Sequence, residues 1–279
     1  MNTILYTTNL TEKAVPALRY AYDLSNRLGA ELIVLYIHQI PHIRVSVARQ
    51  PDQIELQVIQ EQKDILRAYC AKHLGENFDK GRMWLDVVCN DSVLDGIIEK
   101  SKEVNPDIAL IGRKAKHTER GLFAGNIAQG LLKRLACPIL IMPNNIGGVP
   151  IQTMLYASNF GEADIAAIKN LVPMAKSVNA KIHIVHIATE KQYSGKDQME
   201  WFKETLMKQV DYDNIEIKII LSNHIEEELK IYSKHIQADI LALLHREKKG
   251  FFQNLFNKSL VKKLDTQIGI PLLSINEAI

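Results

Sequence analysis

The chain is short of cysteine. Its three, Cys70, Cys89 and Cys137, are odd in number and widely spaced. That pattern supports neither a disulfide framework nor a paired-cysteine zinc motif. Long apolar runs are missing too, since none reaches the ~18 residues of a membrane-spanning helix. The opening MNTILYTTNL has no basic stretch leading into an apolar one, so it does not read as a signal peptide. Charge of one sign is also lacking. Lys and Arg number 34 against 32 Asp and Glu, which leaves +2 and no general attraction for polyanions. Neither a G-x-S-x-G elbow nor a G-x-x-x-x-G-K-[ST] P-loop occurs, so the usual hydrolase and fast ATPase machinery is not written here. With 47% hydrophobic residues the composition is that of a globular protein. The expectation is a cytoplasmic protein of a reducing compartment, with no membrane partner.

What the chain does contain is a repeat. MNTILYTTNL at 1–10 reads like IQTMLYASNF at 151–160, and GAELIVLYI at 29–37 like NAKIHIVHI at 179–187, both at an offset of 150. VNPDIALIG at 104–112 resembles IQADILALL at 236–244, with Asp107 on Asp239 at an offset of 132. CPILIMP at 137–143 matches IPLLSIN at 270–276. The order is kept and the offset shrinks in the middle, so the first copy carries an insertion, placed at 38–60. Two tandem domains are expected, 1–145 and 151–279, joined near NNIGGVP.

Each half alternates strand and helix patterns. Apolar runs such as ILYTT, ELIVLYI, WLDVVC, DIALIG and PILIM are of buried-strand type. Between them, Ala14, Ala17, Leu18, Ala21, Leu24 and Leu28 recur at helical spacing, and 53–73, SVLDGIIEKSKEV and NIAQGLLKRL continue the alternation. Near-continuous apolar strands suit a parallel sheet covered on both faces. The predicted fold is α/β, with two tandem doubly wound five-stranded parallel-sheet domains.

Ligands of such sheets bind beyond the carboxyl ends of the strands. In the first half those positions are Thr7, Thr8 and Asn9, then Ile37 and His38, then Asn90 and Asp91, and then the loop GRKAKHTERGLFAGN. Its glycines allow close backbone approach, and Gly125 and Asn126 are read as opening a helix, with Asn126 as N-cap. The alternative is a plain glycine turn and cap. Segment 112–134 holds six basic residues against Glu119, and 244–263 six against Glu247, so each is +5 within a chain that is nearly neutral. An acidic or anionic ligand at these loops is one reading. A solvated helix face is the other, preferred for Lys133, Arg134, Lys262 and Lys263. No nucleic-acid motif accompanies the charge. His183 and His186, three apart in a strand, point to opposite faces and make a poor metal pair. His38, His42 and His117 are unspecific. Cys89 would be reactive only if exposed and near positive charge, and Cys137 is expected in the core.

The loop after DIALIG resembles the signature of the universal stress protein family, G-x2-G-x9-G-[ST] followed by a helix and a C-P-[VI]-L-[VI] strand. Gly112 and Gly125 stand at its spacing, CPILIMP matches the strand, and ILYTTN is similar to the family's I-L-V-P-x-D. The resemblance covers both halves and implies a Rossmann-like, adenine nucleotide alpha hydrolase-like fold. It also implies ATP or another adenine nucleotide as ligand, with Mg²⁺ only in company with the nucleotide. Carried over by position, Thr8, Asn9 and Ile37 meet the nucleoside, and Gly112, Arg113, Gly125 and Asn126 the phosphates. Three positions depart from the signature. Ala115 replaces a glycine, Asn126 the Ser/Thr, and Asn9 the Asp. No catalytic or metal-ligating residue is carried over.

The second half departs further. Lys258 and Ser259 fall on Gly125 and Asn126, either Leu244 or His245 falls on Gly112, and Phe251, Phe252, Leu255 and Phe256 crowd the loop. This copy is expected to bind no nucleotide. The resemblance implies a stress-response regulatory binding protein. The alternatives are a slow ATPase seated in the first half and an assembly module without ligand. It further implies an intramolecular pseudo-dimer of the two domains, with Ile139, Ile141, Leu272 and Ser274 as contact edge, and leaves room for a homodimer.

Overall fold

The computed structural model describes residues 1–39, 51–76, 78, 81–112, 123–143, 146, 151–188, 195–245 and 269–276. By contacts the chain divides into Asn2–Cys137 and Pro138–Ile279, with Met1 grouped with the latter.

In the first unit, strands β1 (Thr3–Thr8), β2 (Glu31–His38), β3 (Met83–Cys89) and β4 (Ile108–Gly112) alternate with helices α1 (Val15–Leu28), α2 (Pro51–Leu74), α3 (Val93–Val104) and α4 (Phe123–Arg134). The strands lie in the order β3-β2-β1-β4, all parallel. Ile4, Leu5 and Tyr6 of β1 are wholly buried, as a strand covered on both faces must be. The helical spacing read for α1 buries Ala17, Leu18, Ala21 and Leu24 against the sheet, and Gly29 ends the helix in the left-handed conformation that glycine adopts without strain. Ser92 caps α3 by accepting the Asp95 N–H, as a serine at this position does.

The second unit contains β5 (Ile139–Met142), β6 (Thr153–Ala157), β7 (Lys181–Ala188), β8 (Ile215–Leu221), β9 (Ile240–His245) and β10 (Leu272–Asn276). Its helices are α5 (Glu162–Val178), α6 (Gly195–Gln209) and α7 (Ile225–His235). The strand order is β5-β10-β9-β6-β7-β8. All neighbours are parallel except β5 and β10, which run antiparallel with Ile141 opposite Leu272 and Ile139 opposite Ser274. Chain order thus has five strands per half, while contacts group β5 with the second. Residues 246–268, where a fourth helix of this half would fall, lie outside the described residues. Among the described residues no helix is long and apolar enough to cross a membrane.

The repeat is visible in the backbone. Among the described residues five non-glycine residues have positive φ, and each has a counterpart in the other half. Leu10 (φ 59°) matches Phe160 (58°), Asn105 (42°) matches Gln237 (52°), and Asn179 (54°) matches Gly29 (63°). The aspartates paired by the repeat make the same contact. Asp107 Oδ2 accepts the Asn2 and Thr3 N–H groups at 2.6 and 2.9 Å, and Asp239 Oδ2 those of Gln152 and Thr153 at 2.7 and 2.9 Å. Each carboxylate ties the start of the central strand to the strand beside it. In urea melts, Asp239→Ala is expected to lower stability by about 2 kcal/mol and the more exposed Asp107→Ala by about 1 kcal/mol.

Candidate functional site

β1 is flanked by β2 and β4, with Thr8 level with Tyr36 and Thr7 level with Ile111. The connection after β1 leads towards β2, away from β4. The exits of β1 and β4 therefore border a topological switch point, where open α/β sheets take ligands. Thr8, Asn9, Ile37 and Gly112 all fall at this end of the sheet.

Each side chain there has a definite engagement. Thr8 is buried and its Oγ1 accepts the Leu10 N–H at 3.1 Å. Asn9 is exposed, and its Oδ1 accepts both the N–H (3.3 Å) and the hydroxyl (2.8 Å) of Thr11. A backbone N–H can only donate, so the oxygen faces the turn and the amide NH₂ faces outward. Ile37 is buried, and a Cβ added at Gly96 would lie 3.0 Å from its Cδ1. Its side chain packs beneath α3. Gly112 is exposed, and a Cβ there would come within 3.3 Å of Ala17 Cβ, so close packing on α1 gives this glycine a structural reason of its own.

The remaining expectations fare differently. Arg113 lies outside the described residues, as do Ala115, His42, His117, Lys258, Ser259 and the aromatic residues of 251–256. Gly125 and Asn126 fall within α4, which begins at Phe123. Asn126 is therefore the fourth residue of the helix and not its N-cap. Phe and Ala are tolerated in a helix, and nothing at 123–124 obliges it to start later. Asn90 and Asp91 are engaged locally. Asn90 Oδ1 accepts the Ser92 N–H, its Nδ2 donates to Glu99, and the Asp91 carbonyl accepts from Gln39. Arg134 pairs with Asp95 at 2.7 Å, as a solvated helix face would. Cys89 is half-buried, and burial, with Glu55 nearby, pushes its thiol up, away from nucleophilic use. Cys137 is half-buried and not fully in the core, because it precedes β5 and lies at the unit's margin. Burial pushes its thiol up too.

Two tyrosines were not legible as part of this site. Tyr6 donates its hydroxyl to the Ala14 carbonyl and Tyr69, from α2, donates to the Thr11 carbonyl, both at 3.0 Å. Together they pin the turn that carries Asn9. Burial pushes both phenols up, so they stay protonated donors. Tyr69 is 58 residues from Thr11, and no linear pattern announces such a contact.

The corresponding exit in the second half is lined differently among the described residues. Thr7 is level with Ile111 in one copy and Ala157 with Leu243 in the other, so the position of Gly112 is taken by Leu244, which is buried. Phe160, where the first copy has Leu10, is 1% exposed, and its ring packs tilted against those of His186 and Phe202, with centroids 4.8 Å away in each case. His186 Nδ1 lies 2.8 Å from the Ser158 carbonyl. Asp164, at the position of Ala14, is 2% exposed. It accepts the Tyr156 hydroxyl at 2.7 Å and the Asn159 and Gly161 N–H groups at 3.3 and 3.2 Å. His183 turns elsewhere, with Nδ1 3.3 Å from the Tyr232 hydroxyl. Among the described residues no three His, Cys, Asp or Glu gather as metal ligands.

The sequence profile of the universal stress protein family matches residues 1–143. The chain belongs to the universal stress protein family. No curated protein is similar enough to match it. Among solved structures, a universal stress protein from Archaeoglobus fulgidus DSM 4304 is similar over 99% of this chain and 97% of its own, at TM-score 0.66 and 16% identity. A functionally unknown protein from Pseudomonas aeruginosa PAO1 matches 100% of this chain and 93% of its own, at TM-score 0.61 and 13% identity. The cytoplasmic domain of a prokaryotic cation chloride cotransporter matches 98% of this chain and 94% of its own, at TM-score 0.52 and 9% identity. Identities this low speak for the fold alone, which the family shares with proteins in other settings.

Two measurements test these contacts of the second half. Asp164→Ala removes the acceptor of a buried hydroxyl and two turn amides, and is expected to lower stability by about 2–4 kcal/mol in urea melts. His183 is held below the usual histidine value, first by burial and then by Lys181 and Lys218, with Glu216 opposing. Its folded pKa is therefore below its unfolded one, near 6.5, and the unfolded chain takes up the proton first. Stability should fall as pH drops below about 6.5 and level off below the folded pKa, and His183→Gln should flatten that slope.

Proposed function

We propose that the first half binds ATP or another adenine nucleotide at the exits of β1, β2 and β4, and that the second half is a closed copy that binds none. The chain would serve stress-response regulation by reporting nucleotide occupancy, without efficient chemistry of its own. The observation behind this reading is the contrast between the two exits. Asn9 and Gly112 are exposed at the first one, whereas Phe160, Leu244 and Asp164 are buried at the second.

The residues present suit such a ligand. Thr8 and the Asn9 amide, with the backbone of Ile37, border the nucleoside end. Gly112 lacks a side chain where phosphates would pass. Arg113 and the lysines that follow it in sequence supply positive charge, and Gly125 and Asn126 lie in the first turn of α4, where unpaired N–H groups favour anions. Mg²⁺ would arrive with the nucleotide, as a counter-charge to its phosphates.

Native mass spectrometry of the protein as purified, followed by calorimetric titration with Mg·ATP, tests the reading. One nucleotide per chain is expected. Asn9→Ala and Gly125→Asp should each weaken binding by about tenfold or more, while Lys258→Ala leaves it unchanged. An empty protein that shows no thermal shift with ATP overturns the reading.

A further inference from the structure

The outer strands of the two units are finished differently. β3 is an edge strand, paired only with β2 among the described residues. Leu32 N–H donates to the Arg82 carbonyl and Asn90 N–H to that of His38. Even-numbered β3 amides therefore bond to β2 and odd-numbered ones point outward. One outward amide, that of Val87, is taken by the neighbouring Asp86 Oδ1 at 2.9 Å. The same carboxylate holds Lys100 Nζ at 2.5 Å and Lys63 Nζ at 3.7 Å. A strand adding here would have to displace a hydrogen-bonded carboxylate and its two ammonium partners, and charges so placed guard an edge.

β8 is the outer strand of the second unit, paired only with β7 among the described residues. Ile182 N–H donates to the Asn214 carbonyl and Ser222 N–H to that of Ala188, so here too the odd-numbered residues present their N–H and C=O groups outward. No described side chain takes those of Ile217 or Ile219. Leu221, at the strand end, is 52% exposed, and Glu216 and Lys218 are exposed between the isoleucines.

We propose that β8 is a self-association edge, where two copies of the chain pair their β8 strands antiparallel about a twofold axis at Ile217. The charge pattern selects that register. With the axis at Ile217, Glu216 stands opposite Lys218 of the partner subunit, and Lys218 opposite Glu216 of the partner subunit. These are non-hydrogen-bonded positions, where cross-strand side chains come closest. Ile217 and its counterpart exchange both backbone hydrogen bonds. Moving the axis by one residue sets Glu216 against its own copy in one direction and Lys218 against its own copy in the other, and like charges directly opposite are unfavourable. Glu216 already pairs with Lys181 at 2.7 Å, but its side chain is 47% exposed and has room for a second cation. Lys218 rests 4.8 Å from the Tyr232 ring centroid, and its ammonium can still reach outward. A twofold contact of this kind closes on itself. The guard on β3 stops β8 from adding to β3 of another copy, the head-to-tail contact that would propagate.

Sedimentation equilibrium on the full chain, with circular dichroism to verify folding, tests the proposal. The unchanged chain is expected to dimerise. Glu216→Lys sets lysine against lysine, and Lys218→Glu sets glutamate against glutamate. Each should weaken self-association by about tenfold or more. The double reversal Glu216→Lys with Lys218→Glu restores opposite charges and should restore the dimer. Lys218→Glu leaves the Glu216–Lys181 pair intact, so it remains informative if Glu216→Lys disturbs folding. A chain that stays monomeric at all concentrations, or single reversals that leave the dimer unchanged, would overturn the proposal. So would a double reversal that fails to recover it while folding normally.

Discussion

Each half depends on a central strand buried on both faces. β1 and β6 have neighbours on either side and helices above and below, so their backbone groups must all be met by ladders and their side chains must be apolar. Ile4 to Tyr6 and Met154 to Tyr156 meet that demand in the same way. Once the central strand is set, the exits of its neighbours are brought together at one end. Asp107 and Asp239 anchor the opposite end through paired backbone amides.

On this shared frame the two exits have diverged by few residues. In one copy the turn after the central strand is held by tyrosine hydroxyls and an exposed asparagine. In the other an aspartate has moved inside and taken the turn amides, and a phenylalanine has folded over them in the same left-handed conformation as its leucine counterpart. A buried carboxylate is stable only when its oxygens are satisfied, and Asp164 takes the Tyr156 hydroxyl and the Asn159 and Gly161 amides.

The edges follow a similar logic. A strand with one neighbour carries unmet backbone groups, and what its side chains do with them decides whether it is sealed. Asp86 seals β3 by turning its carboxylate onto the backbone beside it. β8 carries its charges at alternate positions on one face, and no described side chain takes the outward backbone groups of Ile217 or Ile219.

Much of the fold was written in linear pattern. The offsets of 150 and 132, the apolar runs and the spacing of Ala17, Leu18, Ala21 and Leu24 were enough for two α/β copies, because hydrophobic periodicity is a local property of the chain. Family signature positions marked Gly112 and named the strand exits. Other features needed the tertiary structure. Tyr69 reaches Thr11 across 58 residues, and Ile37 turns its side chain to Gly96 and not to the exit. Leu244, and not His245, takes the place of Gly112, since register is settled by ladders and not by sequence alignment. The start of α4 at Phe123 displaced Asn126 from its expected cap, because helix ends depend on neighbours as much as on propensity. The sequence by itself determined that one fold is written twice. Only the tertiary structure decided which side chains gather at each exit, because Tyr69 and Thr11 in one copy, and Phe160, His186 and Phe202 in the other, are far apart in the chain and meet only around a turn.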